Sequence, residues 1–477
     1  MTPFPLLRAL RPLPWFCLLG WLSGAPTLLA RVDYDVTAFG AAGKDIAADT
    51  AAIQRAIDAC AQTGGRVIVP PGAHFTIGTI VLKSHIDFWL GPGSLLEASP
   101  HYSDFTRFAY PPVNFDPAPP KPIGVVVYAD GADDLTISGS GQIDGNCLAY
   151  VTARLPHIYQ CPNDRPFAMV LKNCRQLRLR NFSLTNSAFW TLRLLGCSDA
   201  VLEDLRIDGD LRMPNNDGID IDRCSNVRIH DCNISTGDDC ISLKAVPLSE
   251  GIERACENVI ITGCNLRSRS SGVVVGCDCS GPIHDVVVSD CIIRDSHRGV
   301  AVRLSLEGTM EHILFSNLII ETKIFDPKWW GRGEPIQIEA APWNAQSKLG
   351  RISDVRFSHL DCRSENGAVV YGSEPGHIDG ISFDHVFIRI NRPSEFPGGQ
   401  QDFRPMDGDA MPAMPTSGFL LRDAAGVTIR DCGIAWGPNP PSYFQHALDA
   451  KGCPGLVVSD LTGGAAHPGE AARAVQP

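Results

Sequence analysis

The chain has 477 residues, of which 44% are hydrophobic and 20% charged, a globular composition that excludes wholesale disorder. Gly 45 and Pro 36 exceed average usage and point to many turns. Lys+Arg 41 against Asp+Glu 53 gives a formal charge of −12, so no pervasive basic surface exists for nucleic acid or anionic lipid, and a polyanionic partner would need a local basic groove.

Residues 1–30 read as an export signal. Arg8 and Arg11 supply a positive region, Leu13 to Leu22 a short apolar run, and Ser23/Ala25 or Ala30 a small-residue cleavage site. The run is too short to span a bilayer, and no later stretch reaches that length. The protein is therefore expected outside the cytoplasm, secreted or periplasmic, with no membrane association beyond the signal; the alternative is a retained N-terminal anchor. Next, residues 49–60 show helical periodicity behind an Asp/Thr start, and residues 64–72 give a strand ended by a Pro-Pro-Gly turn. Loops at 100–122 and 393–418, rich in Pro, Gly, Asp and Phe, are long enough to form binding walls.

From residue 177 a short strand pattern recurs, beginning at Leu177, Ala200, Val227, Val259, Val286, Ile313, Val355, Ile381, Val427 and Leu456. The first six spacings are 23, 27, 32, 27, 27 and, across an insertion, 42 residues. Strands this short bury a core only by stacking coil on coil. The expected fold is all-β, a right-handed parallel β-helix covering residues 31–465, with an N-terminal capping helix and a flexible Ala/Gly-rich tail at 466–477. A β-sandwich of short strands gives no reason for a period near 27. Cysteines 174, 197, 224, 232, 264, 291 and 432 recur beside the same pattern, as small buried residues of a repeating core would. Mostly free thiols are expected, with room for one or two disulfides. Asn181 and Asn233 begin glycosylation sequons but lie inside the ladder, which argues against modification.

The densest chemistry is Asn215-Asn-Asp-Gly-Ile-Asp-Ile-Asp222 followed by Ser235-Thr-Gly-Asp-Asp-Cys-Ile-Ser-Leu-Lys244. Aligning the alternating strands puts Trp190, Asp217, Asp239, Ser271, Arg298 and Glu334 in one slot on successive coils, which would form an exposed column with Asp238 beside it. Neighbouring parallel strands lie about 4.8 Å apart, so Asp217, Asp238 and Asp239 should repel one another and keep at least one proton at neutral pH. A protonated acid beside an ionised carboxylate is the pair that glycoside hydrolysis requires. Asx-turns or a calcium site are the plainer readings of single Asp residues. Trp329-Trp330, beside Arg332 and Glu334, suits stacking on a sugar face or, equally, a hydrophobic plug under a loop. His230, His284, His297 and His312 show no ligand spacing and suit surface or turn roles.

With Gly139-Ser-Gly-Gln-Ile-Asp-Gly145, Asn186-Ser-Ala-Phe-Trp-Thr-Leu192 and Val36-Thr-Ala-Phe-Gly40, these motifs resemble glycoside hydrolase family 28, the polygalacturonases, over residues 32 to 460. The resemblance implies an O-glycosyl hydrolase without cofactor or metal, acting with inversion on a pectin-like polysaccharide. It makes Asp238 the general acid and has Asp217 and Asp239 activate water. Carboxylates about 5 Å apart would by themselves suggest retention. Two motifs depart from the family: its Gly-His-Gly is Ser270-Ser-Gly272, and its Arg-x-Lys is Ala301-Val-Arg303. Arg303, Lys244 and Arg298 remain to hold an anionic group, and the departures point to a pectin-type or neutral glycan other than plain polygalacturonan. A polysaccharide lyase or epimerase, and a non-catalytic glycan-binding solenoid, are the other readings. A monomer is expected.

Overall fold

The structure is a computed structural model that describes residues 32–108, 122–247, 254–406, 408 and 410–477. The export signal read at 1–30 lies outside the described residues. Among those described, no helix is long and apolar enough to cross a membrane.

The helix spans Ile46–Thr63, starting earlier than its periodicity suggested, because Asp45 caps it by accepting the Ala48 N–H (2.7 Å). Asp49 instead turns back and accepts the N–H groups of Ala42, Gly43 and Lys44. Ala52, Ile53, Ala56, Ile57 and Cys60 are buried against the first coils, covering an end that a solenoid would otherwise leave open.

The rest is a parallel β-helix. One sheet of twenty-three strands and one of fourteen run along the described chain, and the pairing is parallel apart from Arg107–Phe108 with Ile123–Asp130 and a few isolated bridges. The fourteen-stranded sheet carries Leu192–Leu195, Ile219–Asp222, Ile241–Lys244, Ser271–Cys277, Arg298–Leu304 and Ile336–Ala340 in succession. Leu192 pairs Ile219, Ile219 pairs Ile241, Ile241 pairs Val273, Val273 pairs Val300, and Val300 pairs Ile336. These six side chains are fully buried and stack into one apolar column, continued on the other sheet by Phe315, Phe357 and Phe383, whose rings lie 5.0 and 5.2 Å apart.

Asn and Asp take the left-handed region at turns between strands, as at Asn181 and Asp231, and near the starts of strands, as at Asp199, Asn226 and Asn258. Their side chains form a ladder in which Asn226 Nδ2 donates to Asp199 Oδ1 (3.0 Å) and Asn258 Nδ2 to Asn226 Oδ1 (3.3 Å). No disulfide joins two of the described cysteines. The chain end does not fray as its composition suggested: Arg473–Gln476 pairs with Leu448–Lys451 and extends the fourteen-stranded sheet.

Candidate active site

The strand register puts Trp190, Asp217, Asp239, Ser271, Arg298 and Glu334 in one slot, as the repeat predicts. Ser271 pairs directly with Arg298, and the Gly218 N–H donates to Asp239 O (2.9 Å). The column is not exposed, however. Trp190, Asp217, Ser271, Arg298 and Glu334 are all buried, and only Asp239 is half-buried, because the segments around 324–334 and 393–406 fold over the sheet. Asp402 and Arg404 from the second of these reach Gly331, Lys328 and Trp329 in the first.

None of Asp217, Asp238 and Asp239 has the positive φ of the Asn and Asp ladder. Each offers a carboxylate oxygen within 4.8 Å of the others. Asn216 fixes the two motifs to each other: its Oδ1 accepts the Gly237 N–H (2.7 Å) and its Nδ2 donates to Asp210 O (3.1 Å). Gly237 must be glycine, since a Cβ would lie 2.3 Å from Met213 O. Thr236 and Ser268 hydroxyls both donate to Asp238 O (2.6 Å each), and the Trp329 indole N–H donates to Gly237 O (3.1 Å). The Ser271 N–H orients Asp239 by donating to its Oδ1 (2.8 Å). The backbone of Gly237 and Asp238 is therefore held by an indole at one carbonyl and by two hydroxyls at the next.

Burial and the neighbouring Asp239 raise Asp238 to about 7, against the opposing pull of Lys244 and Ser270. Burial and the charges of Asp238, Asp220 and Asp239 raise Asp217 well above the carboxylate range, so the cluster takes up protons as a unit. Burial works against the Lys244 ammonium, yet Asp278, Asp220 and Asp217 outweigh it and keep Lys244 charged; Asp278 Oδ1 lies 3.7 Å from its Nζ. This ammonium offsets part of the negative charge of the cluster.

A stability prediction follows. Asp238 is protonated in the folded and unfolded chains below about pH 4. As pH rises toward 7 the unfolded chain gives up the proton first, so stability from this group is lost across that window. Asp238→Asn should flatten the resulting fall in melting temperature between about pH 4 and about pH 7, an effect of a few kcal/mol. An unchanged pH slope in the variant would contradict the assignment.

The carboxylates border a cavity of about 180 Å³. Trp190, Trp330 and Trp343 wall it, Lys244, Asp278 and Arg303 supply charge, and Pro405 borders it too. Lys244 Nζ lies 5.0 Å from the Trp190 ring centre. Several predicted binding residues are elsewhere. Arg298 donates to Ser271 Oγ (3.2 Å) and faces Asp402 at 3.8 Å; Glu334 accepts the Arg332 N–H; Arg332 donates to Pro327 O (2.6 Å). None of Ser271, Arg298, Arg332 and Glu334 lines the cavity; they brace its wall. Trp330 lines it, whereas Trp329 lines a neighbouring cavity. Arg303 borders the cavity but is paired with Glu339 (2.9 Å).

His297 corrects a surface expectation. It is fully buried, with Nδ1–H donating to Trp330 O (2.7 Å) and Nε2 accepting the N–H groups of Phe325 and Asp326. It fastens the segment that carries both tryptophans, while His230, His284 and His312 sit in partly exposed ion pairs as expected. Asn216, Asp220, Ser270, Asp278, Trp343 and Asp402 escaped the sequence reading. Asp220 alone had a usable signal, since strand alternation turns it outward next to Asp217 in the same motif.

The sequence profile of Glycosyl hydrolases family 28 matches residues 114–370. The chain is 27% identical over 265 residues to a probable polygalacturonase of Arabidopsis thaliana, covering 50% of this chain and 53% of the relative. It is 28% identical over 238 residues to an exopolygalacturonase of Cochliobolus carbonum, covering 49% and 48%. It thus spans about half the length of the curated relatives it matches. The exopolygalacturonase structure from Thermotoga maritima superposes with a TM-score of 0.61 at 17% identity over 90% of this chain and 92% of that one, a likeness of fold. With more than half its length inside the family profile and the three aspartates of the motif gathered on one β-helix face, this chain belongs to glycosyl hydrolase family 28, on the polygalacturonase-like side.

Proposed function

We propose that this protein is an exported, monomeric glycoside hydrolase that cleaves O-glycosidic bonds in a pectin-like acidic polysaccharide or its oligosaccharides with inversion. The observation that carries the reading is the buried carboxylate cluster, in which Asp238 retains a proton up to about pH 7 beside two further aspartates. Asp238 donates that proton to the glycosidic oxygen as the bond to the anomeric carbon breaks. Asp217 and Asp239 orient a water between them; the one proton it loses passes to the ionised member of the coupled cluster, and its oxygen is directed to the opposite face of the anomeric carbon. Lys244 opposes charge build-up in the cluster, and the tryptophan walls exclude water and meet the apolar faces of the sugar.

Oxygens within 4.8 Å are closer than the ~6.5–9.5 Å usual between the acid and base of inverting enzymes. Two aspartates sharing one water remove the need for the wider gap, and family membership supports inversion. Proton NMR of the first-formed product on a pectic oligosaccharide tests it: the new hemiacetal should carry the anomeric configuration opposite to the bond cleaved. Retained configuration would instead make Asp217 or Asp239 a nucleophile. Reducing-end release across a panel of pectic and algal glycans tests the activity itself, and no release from any of them would favour a binding role.

A further inference from the structure

Trp329, whose indole N–H holds Gly237 O, borders a second cavity, of about 370 Å³. It is bordered by Arg269, Phe325 and Trp329 together with His157, Asp210 and Arg212. The adjacent Ser270 borders the catalytic cavity, so consecutive residues face the two sites.

The charges around this second cavity are unequal in their engagement. Asp210 is occupied by Arg212 (3.4 Å) and the Tyr159 hydroxyl (3.0 Å). Asp326 accepts the Lys328 and Trp329 N–H groups and faces His157 at 3.9 Å. Arg269 has no such match. Its guanidinium carbon lies 3.5 Å from the centre of the Phe325 ring, its buried Nη1 has no hydrogen-bond partner, and among the described residues no carboxylate pairs with it. Burial, with Arg267 nearby, lowers it to about 10, so it stays charged at neutral pH while poorly solvated. A guanidinium stacked on a ring is held rigid; Nη1 is enclosed, and the Nε and Nη2 edge is left to meet a carboxylate through two parallel hydrogen bonds. Phe325 and Trp329 add the apolar surface on which a pyranose ring rests.

We propose that this cavity is a second glycan subsite in which Arg269 grips the carboxylate of a uronate unit. The proposal rests on the reading of the protein as an acidic-glycan hydrolase and extends it. At the reaction centre Ala301 removes one cation and Arg303 is tied to Glu339, so a uronate is gripped less there than at Arg269. An alternating glycan, with its uronate outside the leaving-group position, fits both sites.

The test titrates a tetrasaccharide of alternating rhamnose and galacturonate, and its carboxyl-reduced counterpart, into the full chain carrying Asp238→Asn so that neither is cleaved. Adding Arg269→Met keeps the stem on Phe325 and removes the charge. It should weaken the acidic ligand about tenfold or more and leave the neutral one unchanged. Arg269→Lys, with charge but no planar fork, should recover only part. Equal loss for both ligands, no loss, or full recovery with lysine would overturn the subsite while leaving the wider reading in place, since the Arg269 parent would still prefer the acidic ligand. If that parent shows no such preference, the acidic-glycan reading falls and the subsite with it.

Discussion

Asp238→Asn should abolish hydrolysis of the true substrate while the chain stays folded. The amide fills the same space and can keep the hydrogen bond from the Asp239 N–H to the side-chain oxygen (3.1 Å), but it has no proton to give to the leaving oxygen. Loss of a general acid costs about 10²–10⁴ in rate. The variant also removes one member of a mutually repelling cluster, so its melting temperature near pH 8 should equal or exceed that of the parent. Activity within about threefold of the parent would show that another group delivers the proton. The pH profile offers a second handle: activity in the parent should decline as pH rises past about 7, where Asp238 loses its proton.

The second large effect concerns substrate choice. Plain polygalacturonan should be a poor substrate relative to the preferred glycan, by about ten- to a hundredfold in kcat/KM, the consequence of one lost charge-assisted hydrogen bond worth about 1.5–3 kcal/mol. The warrant is the set of cations that border the catalytic cavity. Ala301 occupies the slot where the resemblance places an arginine, and Arg298 and Arg332, which might have substituted, face Asp402 and Pro327 instead. That leaves Lys244, already facing Asp278, and Arg303, already paired with Glu339. Comparing kcat/KM on polygalacturonan, rhamnogalacturonan, substituted and neutral oligosaccharides decides the matter. A clear preference for unsubstituted polygalacturonan would mean that the departures at Ser271 and Ala301 have no bearing on specificity.

The sequence was most legible where it repeats. A slot alignment of alternating Ile, Leu and Val is enough to pair Ser271 with Arg298 and to stack Asp239 on Asp217, because parallel register is governed by which residues must face the core. Burial of the column was not legible, because its cover comes from aperiodic segments far along the chain. Asp402 lies 104 residues beyond Arg298 and meets it only through the fold. The same reason hid Trp343 and Pro405. His297 was misread for want of a neighbouring ligand motif; its partners are backbone groups of residues 325, 326 and 330, which leave no trace in side-chain spacing. The helix start shifted because Asp45 and Asp49 are both competent caps, and only the position of the preceding turn selects between them.

The central claim is that water, activated in the carboxylate cluster, replaces the leaving sugar. Digestion of a pectic oligosaccharide in water enriched in heavy oxygen tests it most directly. Mass spectrometry should find one heavy oxygen at the new reducing end of the fragment that held the cleaved anomeric carbon and none in the leaving fragment, with no labelled product from the Asp238→Asn variant. Unlabelled products carrying an unsaturated uronate, with its ultraviolet absorbance, would show elimination instead and contradict the account.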